Sequence, residues 1–509
     1  MKASLVNTRP GTAADHTVQS AIRRRASRAP APLSFAQERM WFLNQLEPNS
    51  SVYNVPRATR WSGSLDAAAL ERSLGEIVRR HEILRTRFPL TDEGVIQEVL
   101  PALQFQLPLR DLTGLPESAR ERAARQCMFE EAAQPFDLTR QPPFHATLLR
   151  LTEQEHWLIL LIHHTAFDRW SRGVLLGELF ALYPVFAAGG TSPLPEPPIQ
   201  FSDYAAWQRE RFQGDLVERE VVYWRERLRA APPLLALPTD RARPARQTYT
   251  GARVSLRLPA DLTESLGALA RRKRATPFIV LLAAFKALLA RFTGETDVVV
   301  GAPVAGRDHV ELERLIGCFT NTLVLRTDLS GDPTFVDILD RVRGVTLDGL
   351  DHQELPFERL VEALRPPRDP RYHTLFQVLF NYLNFPHEVG QFRELRVEDV
   401  ELPLEIALVD LAVDLRRGSE DWTCTFTYNT DLFDASTIAR LARQYRAILE
   451  VVVSDPERPL SALLPDRSMG ALDASERLLQ ELDQLSDDEA ERLLAAEFRP
   501  DGVSDFFHE

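Results

Sequence analysis

The run Trp157-Leu158-Ile159-Leu160-Leu161-Ile162 ends at two adjacent histidines, His163 and His164. An unbroken apolar run cannot alternate between a core face and a solvent face, so it predicts a strand buried on both sides. Strands covered on both faces belong to α/β architectures, in which helices pack against the sheet. Such a strand also delivers its terminal side chains out of a core. Because successive side chains alternate, one histidine of the pair can face a tunnel while its neighbour faces the opposite side.

The chain has 509 residues, too many for one hydrophobic core, so two or more folding units are expected. Ala67 to His81 has helical spacing, with Leu70, Leu74 and Ile77 on one face. Ser192 to Pro198 is a proline-rich surface loop, and residues 233–247 combine prolines with charges in the manner of a linker between halves. In the second half, Ala252 to Leu258 alternates as a strand. Thr276-Pro277 opens a helix, since proline is tolerated in the first turn. Asp297-Val-Val-Val-Gly301 is another buried strand, and Asp421 to Tyr428 alternates with period two as a half-buried one. Two α/β units of about 200 residues each result.

Residues 1–32, with the basic run Arg23-Arg24-Arg25, are expected to form a mobile leader, with order beginning near Leu33. The units span 33–205 and 206–465. Residues 466–509 form an acidic, partly helical tail. Its leucines fall at helical spacing, Ser486 and Glu489 form a capping box, and it ends in Phe506-Phe507. The tail is expected either to be a solvated extension or to dock a partner protein.

The formal net charge of -13 argues against a general nucleic-acid or membrane-surface binder. Cys127, Cys318 and Cys424 are far apart and lack metal or redox spacing, which predicts reduced thiols in a cytoplasmic compartment and no metal site. No stretch approaches about 18 uncharged apolar residues, so no membrane span is expected, and no signal peptide is read at the N-terminus.

The chemistry concentrates at His163-His164-Thr-Ala-Phe-Asp168-Arg169-Trp170-Ser171. A neutral imidazole near physiological pH can take a proton from an amine or hydroxyl. Amide formation from a thioester needs a free amine, a positioned carbonyl and removal of one proton. It needs no covalent nucleophile if both reactants arrive activated and oriented. On spacing alone, ordinary strand-end histidines remain an equal alternative.

The stretch resembles the His-His-x-x-x-Asp-Gly-x-Ser signature of nonribosomal peptide synthetase condensation domains, shared more loosely with chloramphenicol acetyltransferase-like acyltransferases. Further segments match in the family's order. They are Leu33 to Leu43 with Tyr53 to Pro56, Arg80 to Phe88, Phe201 to Trp207, Ile316 to Arg326, His352 to Glu358, and Arg368-Asp369 with Leu375 to Val378. The match runs from about residue 33 to 465. Several ordered motifs are specific where one histidine pair is not.

The resemblance implies two chloramphenicol acetyltransferase-like lobes arranged as a V-shaped pseudo-dimer with a central tunnel. Donor and acceptor carrier proteins, or synthetase subunits acting in trans, would deliver substrates on phosphopantetheine arms, with no tightly bound cofactor. The implied activity is condensation of a donor acyl or aminoacyl thioester with a carrier-bound amine. The alternatives are an ester-forming acyltransferase with a soluble acceptor and a noncatalytic recruitment platform. His164 matches the essential histidine and His163 a supporting one. Asp168 and Arg85 match a structural buried pair. Arg169, Trp170, Ser171 and Asn321 are expected to line the substrate. The wording of the motifs is closest to domains that join an L-configured donor to an L-amino acceptor.

Arg169 departs from the pattern, standing where the family has glycine. Glycine leaves room beside the backbone, whereas arginine brings bulk and a permanent charge. Three readings follow: a gate on the acceptor channel, recognition of an acidic or unusual substrate, or lost activity. No adenylation loop or phosphate-binding loop is found, and Gly189-Gly-Thr-Ser192 is a turn rather than a carrier attachment site, so substrates are expected to arrive in trans.

Overall fold

The computed structural model describes residues 21–464 apart from 28, 102–104, 368, 384–389, 393–394, 401–405 and 419–420. The first 20 residues of the expected leader and the whole tail from 466 lie outside the described residues.

Two six-stranded sheets form the two halves. The first runs Gly390–Phe392, Leu395–Val400, Asn54–Ser62, Glu155–His163, Phe144–Thr152, Leu109–Asp111. The apolar run sits in its interior, antiparallel to Asn54–Ser62 on one side and Phe144–Thr152 on the other. Trp157, Leu158, Ile159, Leu160, Leu161 and Ile162 are each 5% exposed or less. Fully burying side chains of this size contributes about 1.5–3 kcal/mol each, and the strand is covered on both faces as its composition requires. The helix Ala67–Arg80 packs against the helix Arg169–Ala187 over this sheet.

The second sheet runs Asn321–Asp328, Asp297–Val304, Val378–Leu383, Leu411–Arg417, Trp422–Asn429, Gly251–Leu258. Its core helix, Pro277–Thr293, starts at Thr276, whose hydroxyl accepts from the Ile279 amide, and ends at Gly294 in the left-handed region. This helix is apolar all round, and it is buried all round save near its ends. It also encloses Lys286 completely. The Lys286 ammonium donates to the Leu325 carbonyl at 2.6 Å and the Thr327 hydroxyl at 2.7 Å. Burial pushes its pKa from the ordinary 10.5 down to about 7.

Two expectations need correction. The chain does not divide in space at residue 205: Leu395–Val400, from the second half, pairs with Asn54–Ser62 and extends the first sheet. Order also begins earlier than Leu33. Ile22 is buried in the first core, the Arg25 amide donates to Asp203 at 2.9 Å, and Ala31–Pro32 pairs with Gly94–Val99 in a small separate sheet. One apolar residue in a polar segment, together with a buried carboxylate needing a donor, is enough to anchor it. Among the described residues no single helix is long and apolar enough to cross a membrane.

Candidate active site

The two histidines leave their strand with opposite fates. His163 is 2% exposed. Its Nδ1 accepts from the Thr165 amide at 3.2 Å, which fixes the neutral tautomer with the proton on Nε2. Its ring meets Phe136 edge-on at 5.8 Å. Burial, then the charge of His164, holds its pKa down to about 3. His163 is therefore a neutral packing and capping residue.

His164 is only partly covered, and its amide donates to the Tyr53 carbonyl at 2.9 Å. Its Nδ1 lies 3.5 Å from Cys318 Sγ, while Nε2 has no hydrogen-bond partner among the described residues. Burial lowers its pKa below the ordinary 6.5, and its own backbone carbonyl and Asp168 pull the other way. The ring is neutral at physiological pH and can accept a proton. Burial raises the Cys318 thiol far above its ordinary range, with Asp168 adding to it, so Cys318 is not a thiolate nucleophile.

Asp168 caps the helix Arg169–Ala187 and is 3% exposed. Its carboxylate accepts from the Ser171 amide at 2.8 Å, the Phe319 amide at 3.0 Å and Arg307 Nη2 at 3.1 Å. The expected pairing with Arg85 is corrected. Arg85 instead donates to the Leu100 carbonyl and lies 3.5 Å from Glu82. Arg307 takes the role as a buried partner whose two terminal nitrogens are both bonded: Nη2 to Asp168 and Nη1 to the carbonyls of Leu312 and Leu315, with its guanidinium stacked on Phe319 at 4.2 Å. The sequence carried only a positional hint, which does not by itself single out Arg307. Arg307 follows the end of the buried strand Asp297–Val304 much as Asp168 follows the end of Glu155–His163.

Three expected substrate-lining residues serve the scaffold. Ser171 is fully buried, and its hydroxyl lies 2.7 Å from Asp168 Oδ1 and accepts from the Gly317 amide at 3.0 Å. The Asn321 amide donates to the carbonyls of Gln353 and Leu355 and accepts from the Phe357 amide, so it clamps the 353–357 loop while bordering a cavity of about 50 Å³. Trp170 Nε1 donates to the Glu313 carbonyl at 2.8 Å. Trp170 and Ser171 hold the segment 313–317 of the second half against the histidine loop, while Asn321 ties its own strand to the 353–357 loop. Gly317 permits the contact: a Cβ there would lie 2.1 Å from the Phe201 ring. The early motifs brace both the histidine loop and the segment packed against it. Gln37 donates to the Thr165 carbonyl at 3.2 Å. His81 accepts from the Ile316 amide at 3.3 Å and lies 3.1 Å from Glu178, which also pairs with Arg80.

Arg169 alone of the four reaches across the cleft, to 4.0 Å from Asp414 of the second sheet. Among the described residues no cluster of His, Cys, Asp and Glu could hold a metal ion.

The sequence model of the condensation domain matches residues 27–472. The chain belongs to the condensation-domain family. This condensation domain is 45% identical over 434 residues to a linear gramicidin synthase protein of Brevibacillus parabrevis, covering 85% of the chain but 6% of that protein. It is 42% identical to phosphinothricin tripeptide synthetase PhsC of Streptomyces viridochromogenes, covering 87% of the chain and 41% of the relative. The chain thus spans a small part of the synthetases it resembles. Among solved structures, the X-domain from teicoplanin biosynthesis matches with a TM-score of 0.80 at 32% identity, covering 87% of this chain and 100% of that one. The same domain has been solved in complex with OxyB. The two sheets with their helices are the expected pair of chloramphenicol acetyltransferase-like lobes in a V, and the fold is that of nonribosomal peptide synthetase condensation domains.

Proposed function

We propose that this domain joins a carrier-bound acyl or aminoacyl thioester to a carrier-bound amine, in the cytoplasm and with both carriers supplied as partner proteins. The observation that carries the reading is His164: a neutral imidazole at the cleft with one nitrogen unpartnered. The attacking nitrogen forms the C–N bond as the C–S bond breaks. His164 Nε2 takes the proton released by that nitrogen, and the donor's thiolate leaves on its phosphopantetheine arm and recovers the proton. Asp168 and Arg307 set the loop and do not exchange protons with substrate. Holding both reactants in the cleft supplies the orientation that a bimolecular aminolysis lacks.

The test is intact-protein mass spectrometry on donor-loaded and acceptor-loaded carriers mixed with the domain. The acceptor carrier is expected to gain the donor acyl mass. Equal rates with a soluble alcohol or amine would favour the ester-forming or free-acceptor alternative.

A second reading, a platform that recruits carriers or tailoring proteins, is favoured by the Arg169–Asp414 contact across the cleft and by the similarity to a domain solved with a protein partner. Partner binding without acyl transfer from any loaded carrier pair would support it.

A further inference from the structure

The face of the second sheet turned away from its core is polar. Strand pairing aligns Asn381, Asp414, Thr425 and Ser255 across it, with Arg416 opposite Thr423 on one side of that row and Thr427 opposite Arg253 on the other. The alternating residues Val413, Leu415, Cys424 and Phe426 fill the core. The Asn381 amide donates to Asp414 at 3.0 Å, and Arg169 of the first half approaches the same carboxylate. This face is therefore one wall of the cleft.

The opposite wall is basic as well. Arg57 lies on Asn54–Ser62, two positions before Thr59, which pairs with Asp399. Arg172, one turn after Arg169, forms an ion pair with Asp399. Five guanidiniums, those of Arg57, Arg169, Arg172, Arg253 and Arg416, thus meet two carboxylates, Asp399 and Asp414. Arg57, Arg253 and Arg416 have no carboxylate within ion-pair distance among the described residues. Arg57 donates only to the adjacent Pro56 carbonyl, and its Nε is buried without a partner. Burial, then repulsion by Arg169 and Arg172, presses Arg57 down to about 9, and its charge is felt at His164. Unneutralised positive charge beside a low-dielectric cleft concentrates anions there.

We propose that this cluster is a subsite for a carboxylate on the acyl or aminoacyl group of one substrate, held by Arg57, Arg169 and Arg253 beside His164. The inference rests on the condensation reading and names its substrate class. Guanidiniums pair with carboxylates through parallel, charge-assisted hydrogen bonds. A carboxylate on the reacting chain fits better than the phosphate of the pantetheine arm, because that phosphate sits at the far end of the arm from the thioester, whereas the charge of Arg57 acts on His164.

The experiment compares matched acid and amide ligands. Binding is measured first, by calorimetry with glutarate and glutaramate. Turnover is then measured with glutamyl and glutaminyl groups as thioester donors and as acceptors. The carboxylate is expected to be preferred by about tenfold to a hundredfold, the worth of one or two hydrogen bonds to a charged group. Arg57→Gln and Arg253→Gln should each remove most of that preference while the folded protein's melting curve is retained. Binding preference without turnover keeps the subsite and overturns the condensation reading. Turnover without any acid preference, as donor or acceptor, overturns the subsite. Arg57-dependent preference for phosphopantetheine over pantetheine, with none for the carboxylate, assigns the cluster to the arm and likewise overturns the proposal.

Discussion

Arg307 Nη2 lies 3.1 Å from Asp168 Oδ1 across 139 residues of sequence, and both side chains are 1% exposed. This pair joins the two halves beneath the histidine loop. Removing one member strands a buried charge, which costs about 3–5 kcal/mol. Asp168→Ala and Arg307→Ala are each expected to lower the unfolding free energy by that much. Asp168→Ala combined with Arg307→Leu should cost less than the two singles together, since neither charge is then left alone. Unchanged midpoints in chemical denaturation for both singles would show the pair to be energetically idle.

His164 needs its neutral form to accept a proton. Burial favours that form and places the folded pKa below the ordinary 6.5. Asp168 opposes this shift and Arg57 supports it. Activity should therefore hold through neutral pH and fall only as pH drops through that lowered value. The acid limb is expected below pH 6.5, read from the pH profile of kcat/KM. His164→Ala should reduce turnover by about 100- to 10,000-fold without moving the melting curve. A folded His164→Ala protein with near wild-type turnover would remove the histidine from the mechanism.

Cys318 touches His164 but is held as a neutral thiol. Cys318→Ala is expected to keep turnover within severalfold, and no acyl adduct should form on Cys318 in the unaltered protein. Trapping a covalent acyl group on Cys318 by mass spectrometry would replace direct attack with a two-step route.

Lys286 predicts a pH dependence of stability unconnected to the site. Its folded pKa of about 7 lies below the ordinary 10.5. Between these values the unfolded chain binds the extra proton, so stability rises with pH from about 7 towards 10, with a slope approaching about 1.4 kcal/mol per pH unit. Lys286→Met should lose that slope relative to wild type in urea unfolding at pH 7, 8 and 9. Parallel curves for the two proteins would mean that Lys286 stays charged in the folded protein.

Local pattern sufficed for the buried strand ending at His163 and His164, the helix over Ala67–Arg80, the Thr276 cap and the α/β class. Each is written in periodicity or capping chemistry, which a short window of residues contains. Ordered motifs also carried the family. The partner of Asp168 was not legible, because a buried carboxylate requires a cation without specifying where in the chain it comes from. Arg85 and Arg307 are equally basic on paper, and the close approach of the 306–319 segment selects between them. Ser171 and Asn321 illustrate the same limit: their side chains could bond substrate or scaffold, and the backbone groups that consume them come from residues 317 and 353–357. The arginine cluster goes further still. Its members sit on four separate elements of both halves, and apart from Arg169 each is an ordinary surface arginine in sequence. Their charges meet in one cleft because the second sheet folds its polar face towards the first half, a long-range packing event that no short window of sequence encodes.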